Sequence, residues 1–161
     1  MTTDPIVLLV DDSANDALLM ATVFQRTDFD QPLRFVTSGE DAIAYLQGVG
    51  RFCNRAEFPL PAIVLLDLNM PRKNGLEVLA WIRQQPSLGR ICVYVLSASS
   101  RREDTEKAFA LGANAYLVKP GNLDELSHLA RTLVAWIKLG HFAVAPEPRH
   151  EMEPALADRS A

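Results

Sequence analysis

Cysteine is scarce in this chain: only Cys53 and Cys92 occur in 161 residues. Two isolated cysteines match no zinc or redox spacing, so they read as free thiols. No run of apolar residues exceeds six, far short of the roughly 18 that suggest a membrane-spanning helix. The opening Met1-Thr2-Thr3-Asp4-Pro5 carries neither the basic region nor the cleavage site of a secretory signal, so the cytoplasm is the expected compartment, with no membrane partner. Clustered positive charge is also missing. The net charge is -4, and Arg101-Arg102 is followed at once by Glu103-Asp104. A nucleic-acid partner is therefore not expected, because phosphate backbones are bound by grouped Lys and Arg. The first apolar run leads into Asp11-Asp12-Ser13-Ala14-Asn15 without a glycine, which excludes the glycine-rich turn of a dinucleotide site.

What remains is an ordinary globular composition, 48% hydrophobic and 22% charged, long enough for one domain with one core. Short apolar segments at 6–10, 33–36, 62–66, 91–96 and 115–118 alternate with longer amphipathic ones. The first, third and fourth show no polar alternation, as expected for strands of a parallel sheet buried on both faces. Ser13 with Asp16, Ser38 with Asp41, Ser100 with Glu103, and Asn122 with Glu125 each fit a helix start, a small polar cap followed three residues later by an acid. A third helix is expected over 76–85, ending before Pro86, and the fourth should stop at Gly112. The fifth carries Leu123, Leu126, Leu129, Leu133, Trp136 and Ile137, an apolar stripe wide enough for both core packing and self-association. Five strands alternating with five helices predict a doubly wound α/β fold.

Two segments depart from this rhythm. The connection at 48–61 holds Arg51, Phe52, Arg55 and Phe58; loops of that length are usually functional or disordered, and a partner contact is expected. After Gly140 the chain turns rich in Pro and Glu, with Pro146, Pro148 and Pro154. Residues 141–161 therefore read as a flexible tail beyond a domain at 4–140.

Ligands of doubly wound folds sit beyond the carboxyl ends of the strands, and the polar residues gather there. The first strand ends on Asp11-Asp12, the third runs Ile63-Val64-Leu65-Leu66-Asp67, the fourth ends at Ser97 and the fifth at Lys119-Pro120. Each residue alone has an ordinary explanation as a turn, cap or surface charge. Together they place carboxylates, a hydroxyl and an ammonium along one sheet edge, which points to a divalent cation and phosphate chemistry.

Asp11-Asp12, Asp67-Leu68-Asn69-Met70-Pro71 with Gly75, Ser97-Ala98, Tyr116 and Lys119-Pro120 resemble the receiver domain of two-component response regulators across about residues 4–140. The resemblance implies a five-stranded parallel sheet in the flavodoxin-like order 2-1-3-4-5. It implies Asp67 as phosphoacceptor from a sensor histidine kinase, and Mg²⁺ held by Asp11, Asp12, Asp67 and the backbone carbonyl of Asn69. Lys119, Ser97 and Ala98 would contact the phosphoryl group, Ser97 and Tyr116 would act as the switch, and Pro120 would follow a cis bond that aims Lys119. A haloacid-dehalogenase-type phosphatase would need a second acid two residues after its nucleophile, and this chain has Asn69 there; no turnover of an external substrate is expected. The remaining alternative is a receiver-like interaction module that no longer accepts phosphate. No effector domain is expected in the stretch after Gly140, so the implied product is a stand-alone regulator. The 48–61 insertion before the Asp67 strand is similar to single-domain regulators paired with phytochrome-type kinases. That similarity implies a homodimer built on the fifth-helix face, with the tail contributing.

Overall fold

The computed structural model describes residues 4–140. Strands β1 (Val7–Val10), β2 (Arg34–Val36), β3 (Ile63–Asp67), β4 (Cys92–Ser97) and β5 (Ala115–Val118) form one parallel sheet in the order β2-β1-β3-β4-β5. The helices between and after them are α1 (Ala14–Gln25), α2 (Gly39–Gln47), α3 (Gly75–Gln84), α4 (Arg102–Ala110) and α5 (Leu123–Lys138). The expected fold class and strand order are observed.

Side chains of a strand point alternately to its two faces, which explains why the central strands are apolar throughout. Leu8, Val10, Val64, Leu66, Val93 and Val95 pack with residues of α2, α3 and α4 on one face. Val7, Leu9, Ile63, Leu65, Tyr94 and Leu96 pack with α1 and α5 on the other. The α5 stripe divides accordingly. Leu133 and Ile137 are buried, and Trp136 meets Tyr94 edge-on at 6.1 Å, while Leu123 is left exposed.

Register places the site. Asp67 pairs with Leu96 and Ser97 with Val118, so the ends of β3, β4 and β5 line up along one edge. The loop after Asp67 is held by Gly75, whose amide donates to Leu68 O at 3.1 Å. A Cβ on Gly75 would overlap the Asp67 carbonyl oxygen and crowd Leu68 Cα, so only glycine lets α3 begin this close to the acid-bearing strand. Helix α3 starts at this glycine with Asn74 as its cap, one residue earlier than expected, because Asn-Gly also reads as a turn.

Segment 48–61 is folded onto the end of α2. Gly50–Phe52 forms a 3₁₀ turn, Phe52 is buried, and its ring lies 5.2 Å from those of both Tyr45 and Phe58. Arg55 donates to Tyr45 O and Leu46 O, each at 2.8 Å, adding to the Gly48 amide that already donates to Tyr45 O at the end of α2. Arg51 pairs with Asp41 and lies over the Phe52 ring. These contacts hold the segment against α2, while the Arg51 side chain stays largely exposed. The expected tail at 141–161 lies outside the described residues.

Candidate functional site

Burial and charge balance define the site at the carboxyl edge. Asp11 and Asp67 are buried, at 2% and 5% exposure, whereas Asp12 is exposed. Carboxylate oxygens of the three lie within 4.8 Å of one another. Each buried acid is tied at one oxygen by the amide two residues on: Ser13 N donates to Asp11 at 3.0 Å and Asn69 N to Asp67 at 3.2 Å. The second oxygen of each faces Lys119, whose Nζ lies 2.6 Å from Asp11, 3.5 Å from Asp67 and 3.3 Å from Asp16.

One ammonium among four acids leaves an excess of negative charge in a sparsely hydrated place. Burial pushes the Asp67 carboxyl up to about 6, more than the nearby Lys119 charge and the Asn69 amide pull it down. Burial alone would lower Lys119, but its hydrogen bond to Asp11 and the charges of Asp67, Asp11 and Asp16 outweigh that and hold it above the usual lysine range. The donors are hard oxygens with surplus negative charge, a set suited to Mg²⁺ or Mn²⁺.

The sequence-expected residues fall into two groups. Asp11, Asp12, Asp67 and Lys119 converge directly. Ser97, fully buried, is joined to Tyr116 indirectly: Ser97 Oγ accepts from Ser99 N at 3.1 Å, and Tyr116 donates to Ser99 O at 2.8 Å. Ala98 is exposed at the edge, and so is Asn69. Pro120 needs a correction, because no peptide bond among the described residues is cis. The Lys119–Pro120 bond is trans, and Lys119 reaches the acids through its own length and three carboxylate contacts. The expected Ser100–Glu103 cap of α4 is not formed either: Arg101 is the cap residue and makes no side-chain cap bond. Ser99 takes that place, its Oγ accepting from Arg101 N at 3.2 Å and donating to Asp104 at 2.5 Å.

Asp16 and Asp104 were not foreseen as site residues. Asp16 reads as an ordinary first-turn acid, and its amide is indeed capped by Ser13. Its place in the first turn of α1, directly after the strand end that carries Asp11 and Asp12, was the available signal that it faces the same edge. The Asp104 contact depends on loop geometry that periodicity does not carry.

Residues 7–131 match the family model described as the response regulator receiver domain. The chain belongs to that family. It is accordingly a two-component signalling switch rather than an enzyme turning over an external substrate. Response regulator Rcp1 of Synechocystis is 38% identical over 134 residues, covering 83% of this chain and 89% of that protein. The Mn²⁺-bound crystal structure of Rcp1 superposes with a TM-score of 0.75 at 37% identity, over 83% of this chain and 95% of that one. The phosphorylated cyanobacterial phytochrome response regulator RcpA gives 0.78 at 32% identity, over 85% and 95% of the two chains. Response regulator RPA3017, from red-light signalling of R. palustris, gives 0.77 at 40% identity, over 82% and 92%.

Proposed function

We propose that this receiver domain accepts a phosphoryl group on Asp67 from a phosphohistidine of a sensor histidine kinase of the phytochrome type. An Asp67 carboxylate oxygen attacks phosphorus, the P–N bond to imidazole breaks, and an acyl phosphate forms as the freed ring takes a proton from solvent. The observation that carries this reading is the convergence of Asp11, Asp12, Asp67 and Lys119 at the ends of parallel strands, with Asp67 buried. Two further facts support it: RcpA is described as phosphorylated, and RPA3017 belongs to red-light signalling.

Asp11, Asp12, Asp67 and the Asn69 carbonyl would hold Mg²⁺, as a manganese-bound relative suggests. The ion would offset the repulsion between the acids and an incoming phosphoryl group. Lys119, already facing Asp67, supplies positive charge to the transferred oxygens. Once Asp67 is phosphorylated, its new acceptor oxygens draw on the Ser97 hydroxyl, and the change reaches Tyr116. Ala98, exposed beside Ser97 at the rim, would contact the same group, as the family resemblance implies. A homodimer on the α5 face fits the exposed Leu123, Val118 and Leu139, and the cytoplasm fits the chemistry of a kinase partner.

Incubation with acetyl phosphate and Mg²⁺, read by intact mass, tests the reading. One added phosphoryl group is expected, lost when EDTA replaces the metal. No gain in the wild type would leave the chain as an interaction module that does not accept phosphate. Light scattering of the full chain against a truncation after Gly140 tests the tail's part in the dimer; equal oligomeric states would remove it.

A further inference from the structure

Asp16 differs from the acids beside it. Asp11 and Asp67 are buried at strand ends, while Asp16 lies in the first turn of α1 with its side chain 49% exposed. Ser13 Oγ caps its amide at 3.2 Å, but its carboxylate takes no part in that cap. Among the described residues, Lys119 is the only cation that this carboxylate meets, at 3.3 Å. The same ammonium stands 2.6 Å from Asp11 and 3.5 Å from Asp67. It has three protons for three acids, and it lies nearer to Asp16 than to the phosphoacceptor.

A cavity of about 260 Å³ between α1 and α5 gives this sharing a direction. Asp11, Asp16 and Lys119 face it together with Leu19, Leu123 and Leu126, whereas Asp67 does not. Lys119 therefore has open space on its α1 side. Asp16 also lies outside the three-acid set suited to a divalent ion. A cation held there would offset the charge of Asp11 and Asp67 but would leave Asp16 as an acceptor for Lys119.

We propose that Asp16 is a positioning residue that draws Lys119 toward α1, so that every phosphoryl group arriving at Asp67 competes with Asp16 for the ammonium. The inference rests on the phosphoacceptor reading and adds to it a restraint built into α1. A phosphoryl group brings nearly two negative charges and three strong acceptor oxygens. The ammonium that neutralises them has to leave Asp16 or share itself more thinly. Because the Asp16–Lys119 pair is half exposed, the restraint is mild, about twofold to fivefold. Plain repulsion between Asp16 and the incoming anion would act in the same direction, yet it would not need Lys119.

A double-mutant cycle on the full chain separates the two. Wild type, Asp16→Asn, Lys119→Met and the double variant are compared by the rate of phosphoryl uptake from acetyl phosphate and Mg²⁺, read by intact mass. Asp16→Asn should raise the rate about twofold to fivefold beside Lys119, and should leave it unchanged beside Met. Fluoroberyllate, a tetrahedral mimic of the phosphoryl group, gives a second readout through amide spectra. With Mg²⁺ it should bind Asp16→Asn tighter than wild type by a similar factor. Asp16→Ala, which cannot accept a hydrogen bond from Lys119, should show the same gains. Rates and affinities unchanged or lowered in both Asp16 variants would overturn the inference. A gain that persists in full beside Lys119→Met would overturn it as well, in favour of plain repulsion. Failure of the wild type to take up phosphate or bind fluoroberyllate would instead overturn the phosphoacceptor reading and, with it, this inference.

Discussion

The two poles of the sheet each gather acids around one lysine, yet only one pole has the makings of a reaction centre. At the amino pole, Asp4 and Asp30 exchange amide hydrogen bonds of 2.9 and 2.8 Å, and Lys138 stands 3.3 Å from Asp4 and 3.7 Å from Asp28. This cluster ties the chain start, the α1–β2 connection and the end of α5 together. Asp28 and Asp30 are exposed there and Lys138 partly so, and only Asp4 is withdrawn from water. At the carboxyl pole, Lys119 and the acids Asp11 and Asp67 are withdrawn from water, and the acids stand on strand ends that cannot relax away. The difference teaches that burial and rigid backbone support, rather than the number of carboxylates, turn an acidic cluster into a reactive one.

Removing the acceptor gives the largest contrast. Asp67→Asn should abolish phosphoryl uptake, whereas Asp30→Asn should leave it at the wild-type rate, both followed by intact mass over time. Next comes removal of the cation at each pole. Lys119→Met leaves Asp11 and Asp67 without their ammonium and should cost about 3 kcal/mol in denaturant unfolding of metal-free protein. It should also slow phosphorylation at least about tenfold. Lys138→Met should leave phosphorylation unchanged; a comparable loss of rate would break the distinction between the poles.

A subtler difference appears with pH. Because Asp67 titrates at about 6 in the folded chain, against an ordinary 3.8, its protonated form is favoured by folding. The resulting stability is fully present below about pH 4 and is lost as pH rises through 6. Metal-free Asp67→Asn should therefore be more stable than wild type at pH 7, by roughly 2–3 kcal/mol, and the gap should close toward pH 4. A gap independent of pH would contradict the burial argument. The smallest effect belongs to Asp16, which shares Lys119 with Asp67 across a half-exposed pair. Asp16→Asn should release the ammonium toward Asp67 and raise the phosphorylation rate about twofold to fivefold, the scale of an exposed ion pair. A fall in rate would mean that Asp16 supports Lys119 rather than competing for it.

The sheet and the acid set were legible because both follow from local pattern. Apolar runs buried on two faces leave little doubt about strands, and a carboxylate directly after such a run can only sit at the sheet edge. Helix caps at Ser13, Ser38 and Asn122 were legible for the same reason, since cap and acid lie within one turn. What the pattern missed depends on where a loop turns. Ser97-Ala98-Ser99-Ser100 offers three hydroxyls, and only the folded path decides that Ser99, not Ser100, secures α4. The 48–61 segment lacks periodicity, so the burial of Phe52 and the grip of Arg55 on the end of α2 were invisible. Lys119 was found, but the means of aiming it was misjudged: salt bridges to three acids do the work expected of a cis bond.

The central claim is that, among the clustered acids, Asp67 alone is the nucleophile. Borohydride converts an aspartyl phosphate to homoserine, so trapping phosphorylated protein and sequencing its peptides by mass spectrometry locates the acceptor. The account predicts homoserine at Asp67 and unmodified Asp11 and Asp12. Conversion at Asp11 or Asp12, with Asp67 untouched, would contradict it.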